Sequence, residues 1–198
     1  MLYSLRGNLV NIEENFIVVE CGGVGYKCFT TVNTQRELSD KINNTIMIYT
    51  YMSVREDAID LFGFSSISEM KCFKLLTSVS GVGSKAGLSI LSEYSTEQIA
   101  MFISSNNSKA LTKAAGIGNK IAQRIVLELR DKFKMTENIK NDLSIDIGVI
   151  SSSKNVEEAV KALGVLGYEQ SDIMPIITKF DSSLSVEELI RLTLKSMK

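Results

Sequence analysis

Residues 114–129, AAGIGNKIAQRIVLEL, set a glycine-isoleucine-glycine turn against the start of a patterned helix. Asn119 and Lys120 open that helix. A helix N-terminus presents backbone N–H groups without intrahelical partners and the positive end of the macrodipole, and glycine lets a ligand approach the backbone closely. The chemistry this suits is anion binding. The arrangement occurs twice. SVSGVGSKAGLSIL (78–91) aligns without a gap on KAAGIGNKIAQRIV (113–126), so that Gly81 and Gly116, Gly83 and Gly118, and Lys85 and Lys120 repeat at a spacing of 35. Ser84 stands in the first copy where Asn119 stands in the second, and Arg124 adds a cation on the outer shoulder of the second helix.

Other chemistries fit less well. A dinucleotide fingerprint needs G-x-G-x-x-G after a strand, whereas Gly81, Gly83 and Gly87 follow a helical run at a longer spacing, and the second copy has no third glycine. No GK[ST] occurs, so a Walker A loop is not expected. The chain contains no histidine, which removes Ser-His-Asp and Cys-His nucleophile systems and HExxH zinc sites. Cys21, Cys28 and Cys72 are scattered, with no C-x-x-C pair, and read as small core residues rather than disulfide or zinc partners. No catalytic residue, metal site or cofactor is expected. The tightest carboxylate group, Glu56-Asp57 with Asp60, lies on a turn between two strands; by spacing alone it is either a solvated turn or a metal-binding cluster.

Net charge is −1, but its distribution is uneven. Residues 66–135 carry +5, while the segments on either side carry −3 each. Both glycine turns lie in the basic segment, which points to a polyanion flanked by acidic modules. No run approaches the ~18 apolar residues of a membrane span, and MLYSLRGNLVNIEENF lacks the basic start and apolar core of a secretory signal. A cytoplasmic protein with no membrane association is expected.

The elements that must carry these turns change period along the chain. FIVVEC and YKCFTTV flank GGVG, TIMIYTYMSV (45–54) alternates, and IDLFGF follows REDA; with LYSLRG these predict about five short strands in the first 65 residues, suited to a small barrel. Ser66-x-x-Glu69 and Ser95-x-x-Gln98 are capping-box signatures that open helical runs. Ile121, Ile125, Leu129 and Phe133 then make a core-facing stripe. Residues 136–154 show no sustained period and read as a flexible linker, and helical faces beyond it predict a three-helix module near the lower size limit for autonomous folding. The unit repeated in the middle is helix, glycine hairpin, helix. That duplication, the paired lysines and the local charge oppose the plainer reading in which glycine only gives two turns their backbone freedom.

The paired hairpins resemble the tandem helix-hairpin-helix motif, which grips DNA phosphates through backbone amides without reading bases. Taken with LRG (5–7), GGVGY (22–26), VREDA (54–58) and LFGF (61–64), the whole chain resembles the RuvA family, Holliday-junction-binding subunits of the bacterial branch-migration machine. The resemblance implies an α+β multidomain chain: an OB-type barrel (1–64), a tandem helix-hairpin-helix domain (65–135), a linker (136–154) and a UBA-like three-helix module (155–198). It implies DNA binding by Gly81, Gly83, Ser84, Lys85, Gly116, Gly118, Asn119, Lys120 and Arg124. It implies an acidic pin at Glu56 and Asp57, and a homotetramer, or an octamer on DNA. The implied partners are Holliday-junction DNA, the hexameric ATPase RuvB and the RuvC resolvase, with roles in recombination, repair and the SOS response. The motor contact would fall on the module, where ALGVLGY (162–168) brings Leu163, Leu166 and Tyr168 together. Relatives often carry proline or a basic residue where this chain has Ser84, Ala115 and Asn119. A general duplex-binding protein and a metal-dependent nuclease are the competing functions.

Overall fold

A computed structural model describes residues 2–141 and 154–197. Five strands, β1 (Ser4–Glu13), β2 (Phe16–Cys21), β3 (Val24–Phe29), β4 (Thr45–Val54) and β5 (Ile59–Phe64), close a barrel in the order β1-β2-β3-β5-β4. All pairings are antiparallel except β3 with β5, which meet in parallel at Phe29 and Phe62. Strand alternation sends Leu5, Leu9, Ile17, Val19, Cys28, Ile46 and Ile48 inward as the barrel core. Burial pushes the Cys28 thiol up to about 12, as suits a core residue.

One helix inside the barrel domain was not expected: α1 (Val32–Leu38), capped by the Thr31 hydroxyl accepting from Thr34 N–H. It helps join the barrel to the helices that follow. These are α2 (Ile67–Thr77), α3 (Ser84–Glu93), α4 (Thr96–Ser104), the short α5 (Ser108–Leu111) and α6 (Asn119–Asn141). The outer barrel face is covered by α2, whose Phe73 ring lies 5.0 Å from both Phe62 and Phe64 and 5.8 Å from Tyr51. Barrel and helices therefore share a packed seam.

The capping signatures divide. Ser95 and Gln98 form the full reciprocal box at α4. At α2, Ser66 caps the Glu69 N–H, but the Glu69 carboxylate turns away from its own helix and accepts from the hydroxyls of Thr31, the cap of α1, and Thr34 within it. Of the stretch expected as a linker, residues 136–141 continue α6, which runs to Asn141. No glycine or proline interrupts TENIKN, and extending a formed helix costs far less than starting one. The rest of that stretch, 142–153, lies outside the described residues.

Three further helices, α7 (Lys154–Val165), α8 (Gln170–Ile177) and α9 (Val186–Ser196), make the C-terminal module. α7 packs against α9 and α8 and also against α4 and α6, so one apolar cluster runs from Phe62 to Leu194. The Lys71 ammonium of α2 sits 4.2 Å above the Tyr168 ring.

Candidate nucleic-acid interface

Each hairpin is built the same way. Gly81 and Gly116 hold φ of +87° and +81°, in the left-handed region where a side chain is strained. Val82 and Ile117, the apolar residues between the glycines, are buried and anchor the turns to the core. Matching backbone bonds close the turns: Val82 N–H to Val79 O at 3.0 Å, and Ile117 N–H to Ala114 O at 3.1 Å. The glycines themselves are exposed on both hairpins.

The helix starts are open for a ligand. α3 begins on Gly83 with no side chain capping it, whereas α2 and α4 on either side are capped by Ser66 and Ser95. In the second copy, Gly118 O likewise accepts the first intrahelical bond, from Ala122 N–H at 3.0 Å. The N–H groups of Gly81, Gly83, Gly116 and Gly118 have no hydrogen-bond partner among the described residues. Unsatisfied, exposed amides at a positive dipole end form an anion site. Lys85, Asn119 and Lys120 are exposed beside them, and Ser84 is half-buried.

Arg124 is exposed but not free. Its Nη1 donates to Ser80 O at 3.1 Å, across from the second motif to the first hairpin. In the opposite direction, the Ser89 hydroxyl of α3 donates to Ala115 O at 2.9 Å in the second hairpin. Ser89 was not singled out in the sequence, although the repeat that pairs Lys85 with Lys120 also pairs Ser89 with Arg124.

Glu56 and Asp57 occupy the exposed tip between β4 and β5, where Arg55 N–H bonds Ala58 O. Arg55 holds Asp60 at 2.9 Å and lies 3.9 Å from Asp57. Among the described residues, no three His, Cys, Asp or Glu side chains are grouped to hold a metal ion.

The module residues expected to touch a partner are placed differently from one another. Leu163 and Leu166 are fully buried, not surface contacts, because the turn at Gly167 (φ +82°) folds them into the core that α7 shares with its neighbours. Tyr168 is half-buried under Lys71, its hydroxyl pushed up by burial.

A closed five-stranded barrel joined to duplicated, cross-linked glycine hairpins defines a nucleic-acid-binding protein of the barrel-plus-helix-hairpin-helix class. Models of the RuvA N-terminal domain match residues 1–63, of a SAM-like helix-hairpin-helix tandem residues 73–131, and of the RuvA C-terminal domain residues 154–198. A protein of Acetivibrio thermocellus named Holliday junction branch migration complex subunit RuvA is 39% identical over 200 residues, covering 100% of this chain and 98% of the relative. Proteins of the same name from Clostridium perfringens strain 13 and Clostridium botulinum strain Loch Maree are each 38% identical, over 98% of both chains in the first case and over 100% of this chain and 99% of the relative in the second. The chain belongs to the RuvA family.

Proposed function

We propose that this chain binds four-way DNA junctions as the non-catalytic DNA-binding subunit of a branch-migration complex. The observation that carries the reading is the pair of uncapped glycine hairpins, cross-linked and set in the one basic segment of the chain. Backbone amides of Gly81, Gly83, Gly116 and Gly118 donate to phosphates, Ser84 and Asn119 flank them, and Lys85, Lys120 and Arg124 supply charge. Contacts of this kind fix position on a duplex and carry no base sequence. The relatives' shared name supports the junction as target.

Glu56 and Asp57 act as a pin that repels phosphates and disfavours continuous duplex at the junction centre. Arg55 holds Asp60 at 2.9 Å and pairs with Asp57 at 3.9 Å, which draws both carboxylates towards one cation and supports the pin over a metal-binding cluster. Four copies in a closed ring suit a target with four arms. The C-terminal module recruits the RuvB motor, and the RuvC resolvase follows on the same junction. The work is cytoplasmic; no helix among the described residues is long and apolar enough to cross a membrane.

The test is a gel-shift titration of the purified chain against a four-way junction and a linear duplex of equal length, with and without Mg²⁺. Preferential binding of the junction without strand scission is the expected result. Equal binding favours a general duplex binder, and scission favours a nuclease.

A further inference from the structure

The two hairpins brace each other. Ser80 and Ala115, the residues before the left-handed glycines, are equivalent in the repeat, and so are Ser89 and Arg124. Each motif uses the second of these positions to donate to the backbone carbonyl of the first position in the other motif, at 2.9 Å and 3.1 Å. One donor is a short neutral hydroxyl and the other a long guanidinium. Two different side chains making the same bond at matched positions point to a geometric requirement rather than to a coincidence of reach.

The peptide unit explains what the bond does. A trans peptide is planar, with its C=O and N–H directed to opposite sides. The Ser80 carbonyl shares a peptide plane with Gly81 N–H, and the Ala115 carbonyl shares one with Gly116 N–H. A donor holding the carbonyl from the side of the other motif turns the glycine N–H away from that motif. Those N–H groups have no partner among the described residues. Left-handed glycine is the backbone most free to rotate, so an unbraced turn would lose this aim.

We propose that Ser89 and Arg124 are positioning residues that fix the direction and separation of the two hairpins' amide donors, so that the pair matches phosphates across the groove of B-form DNA. This rests on the phosphate-binding reading above. It adds a specificity that charge alone does not give. Strand separation across the minor groove differs between B-form DNA and A-form RNA, whose minor groove is wide and shallow. Rigid amide pairs discriminate between these forms, whereas lysines on flexible stems serve both.

Ser89→Ala tests this without changing any charge. Binding to a short DNA duplex and to the RNA duplex of the same sequence is measured across a salt series, alongside the thermal unfolding midpoint. Loss of the single bond is expected to weaken DNA binding about 2- to 10-fold, to leave RNA binding nearly unchanged, and to leave the salt slope of log K unaltered. Ser89→Thr, which keeps the hydroxyl, restores the DNA preference. DNA binding equal to wild type, or an equal loss on DNA and RNA, overturns the proposal. A reduced salt slope does so as well, since it marks a lost phosphate contact. Failure of the wild-type chain itself to bind duplex or junction DNA sinks the phosphate-binding reading instead, and is seen before any variant is made.

Discussion

The two hairpin motifs share a turn but not a setting. The first is built into the barrel: α2 covers Phe62 and Phe64 with Phe73, and Glu69 ties the same helix to α1. The second runs from the four-residue α5, whose Ala110 carbonyl accepts from the Tyr94 hydroxyl at 2.6 Å, to the long α6, which packs on α4 and α7 rather than on the barrel core. At the offset of the repeat, Phe73 corresponds to Ser108 and Gly87 to Ala122. A Cβ added at Gly87 would lie 3.1 Å from Thr77 Cγ2 and 3.2 Å from the Phe73 ring. The second copy has no ring there, and the Ala122 methyl fits, fully buried. Duplicated backbones thus diverge through paired substitutions, a large residue in one helix against a small one in the next, while the ligand-facing turn is preserved.

The sharpest way to break this comparison is to enlarge Gly87. Gly87→Leu forces extra carbons into the Phe73–Thr77 contact and is expected to destabilise the chain by about 3 kcal/mol, the upper end for overpacking a filled core. The reverse change in the other copy, Ala122→Gly, is expected to cost only about 0.5–1 kcal/mol of helix stability. Urea denaturation of both variants measures the difference; equal losses would mean the settings do not differ as described.

The turns themselves should respond alike. Gly81→Ala and Gly116→Ala each place a Cβ in the left-handed region; at Gly81 it meets the Arg124 guanidinium in ordinary contact at 3.6 Å, and at Gly116 it meets nothing within 4 Å. Each is expected to cost about 1–2 kcal/mol from that strain. A gap between the two larger than about 1 kcal/mol would show that the local conformations are held differently.

Charge gives a smaller and finer comparison. Lys85 and Lys120 are equivalent and both exposed. If each neutralises one phosphate, either alanine variant lowers the salt slope of log K by about 0.9, and the double variant by about twice that. A slope that changes for one lysine only would assign phosphate contact to a single hairpin.

Much of this was legible in the sequence because its signals are local. Strand alternation gave the barrel, and the ungapped repeat gave both hairpins, including the Ser89–Arg124 equivalence once the alignment is read to its end. What was missed depends on distant partners. The α1 segment, VNTQREL, holds only Val32 and Leu38 as apolar residues, too few for a period. Glu69 reads locally as half of a capping box, and nothing within its own helix reveals that Thr31, the cap of α1, and Thr34 within it compete for its carboxylate. The glycine turn groups Leu163, Leu166 and Tyr168 but leaves open whether they are core or a partner surface, since a helical period cannot say which side of a small module faces a neighbouring domain.

That Glu69 tie supplies the last and smallest expected effect, and it belongs to the first motif alone. Burial raises the Glu69 carboxyl above its ordinary value of 4.5, and Glu37 raises it further; the hydroxyls of Thr31 and Thr34 and the Ser65 backbone pull it down without reversing the shift. A group that holds its proton more tightly when folded contributes stability below its ordinary pKa, and that contribution is lost as pH rises through the folded value. Glu69→Gln removes the titration while keeping an amide oxygen that can accept from one threonine. The difference in stability between wild type and Glu69→Gln should therefore fall as pH is raised from 4 towards neutrality, as followed by thermal unfolding at each pH. A difference that stays flat would mean the carboxylate is compensated in its buried site. One that grows with pH would mean the threonine hydroxyls stabilise the charged form more than burial disfavours it, making the tie between α1 and α2 strongest when Glu69 is ionised.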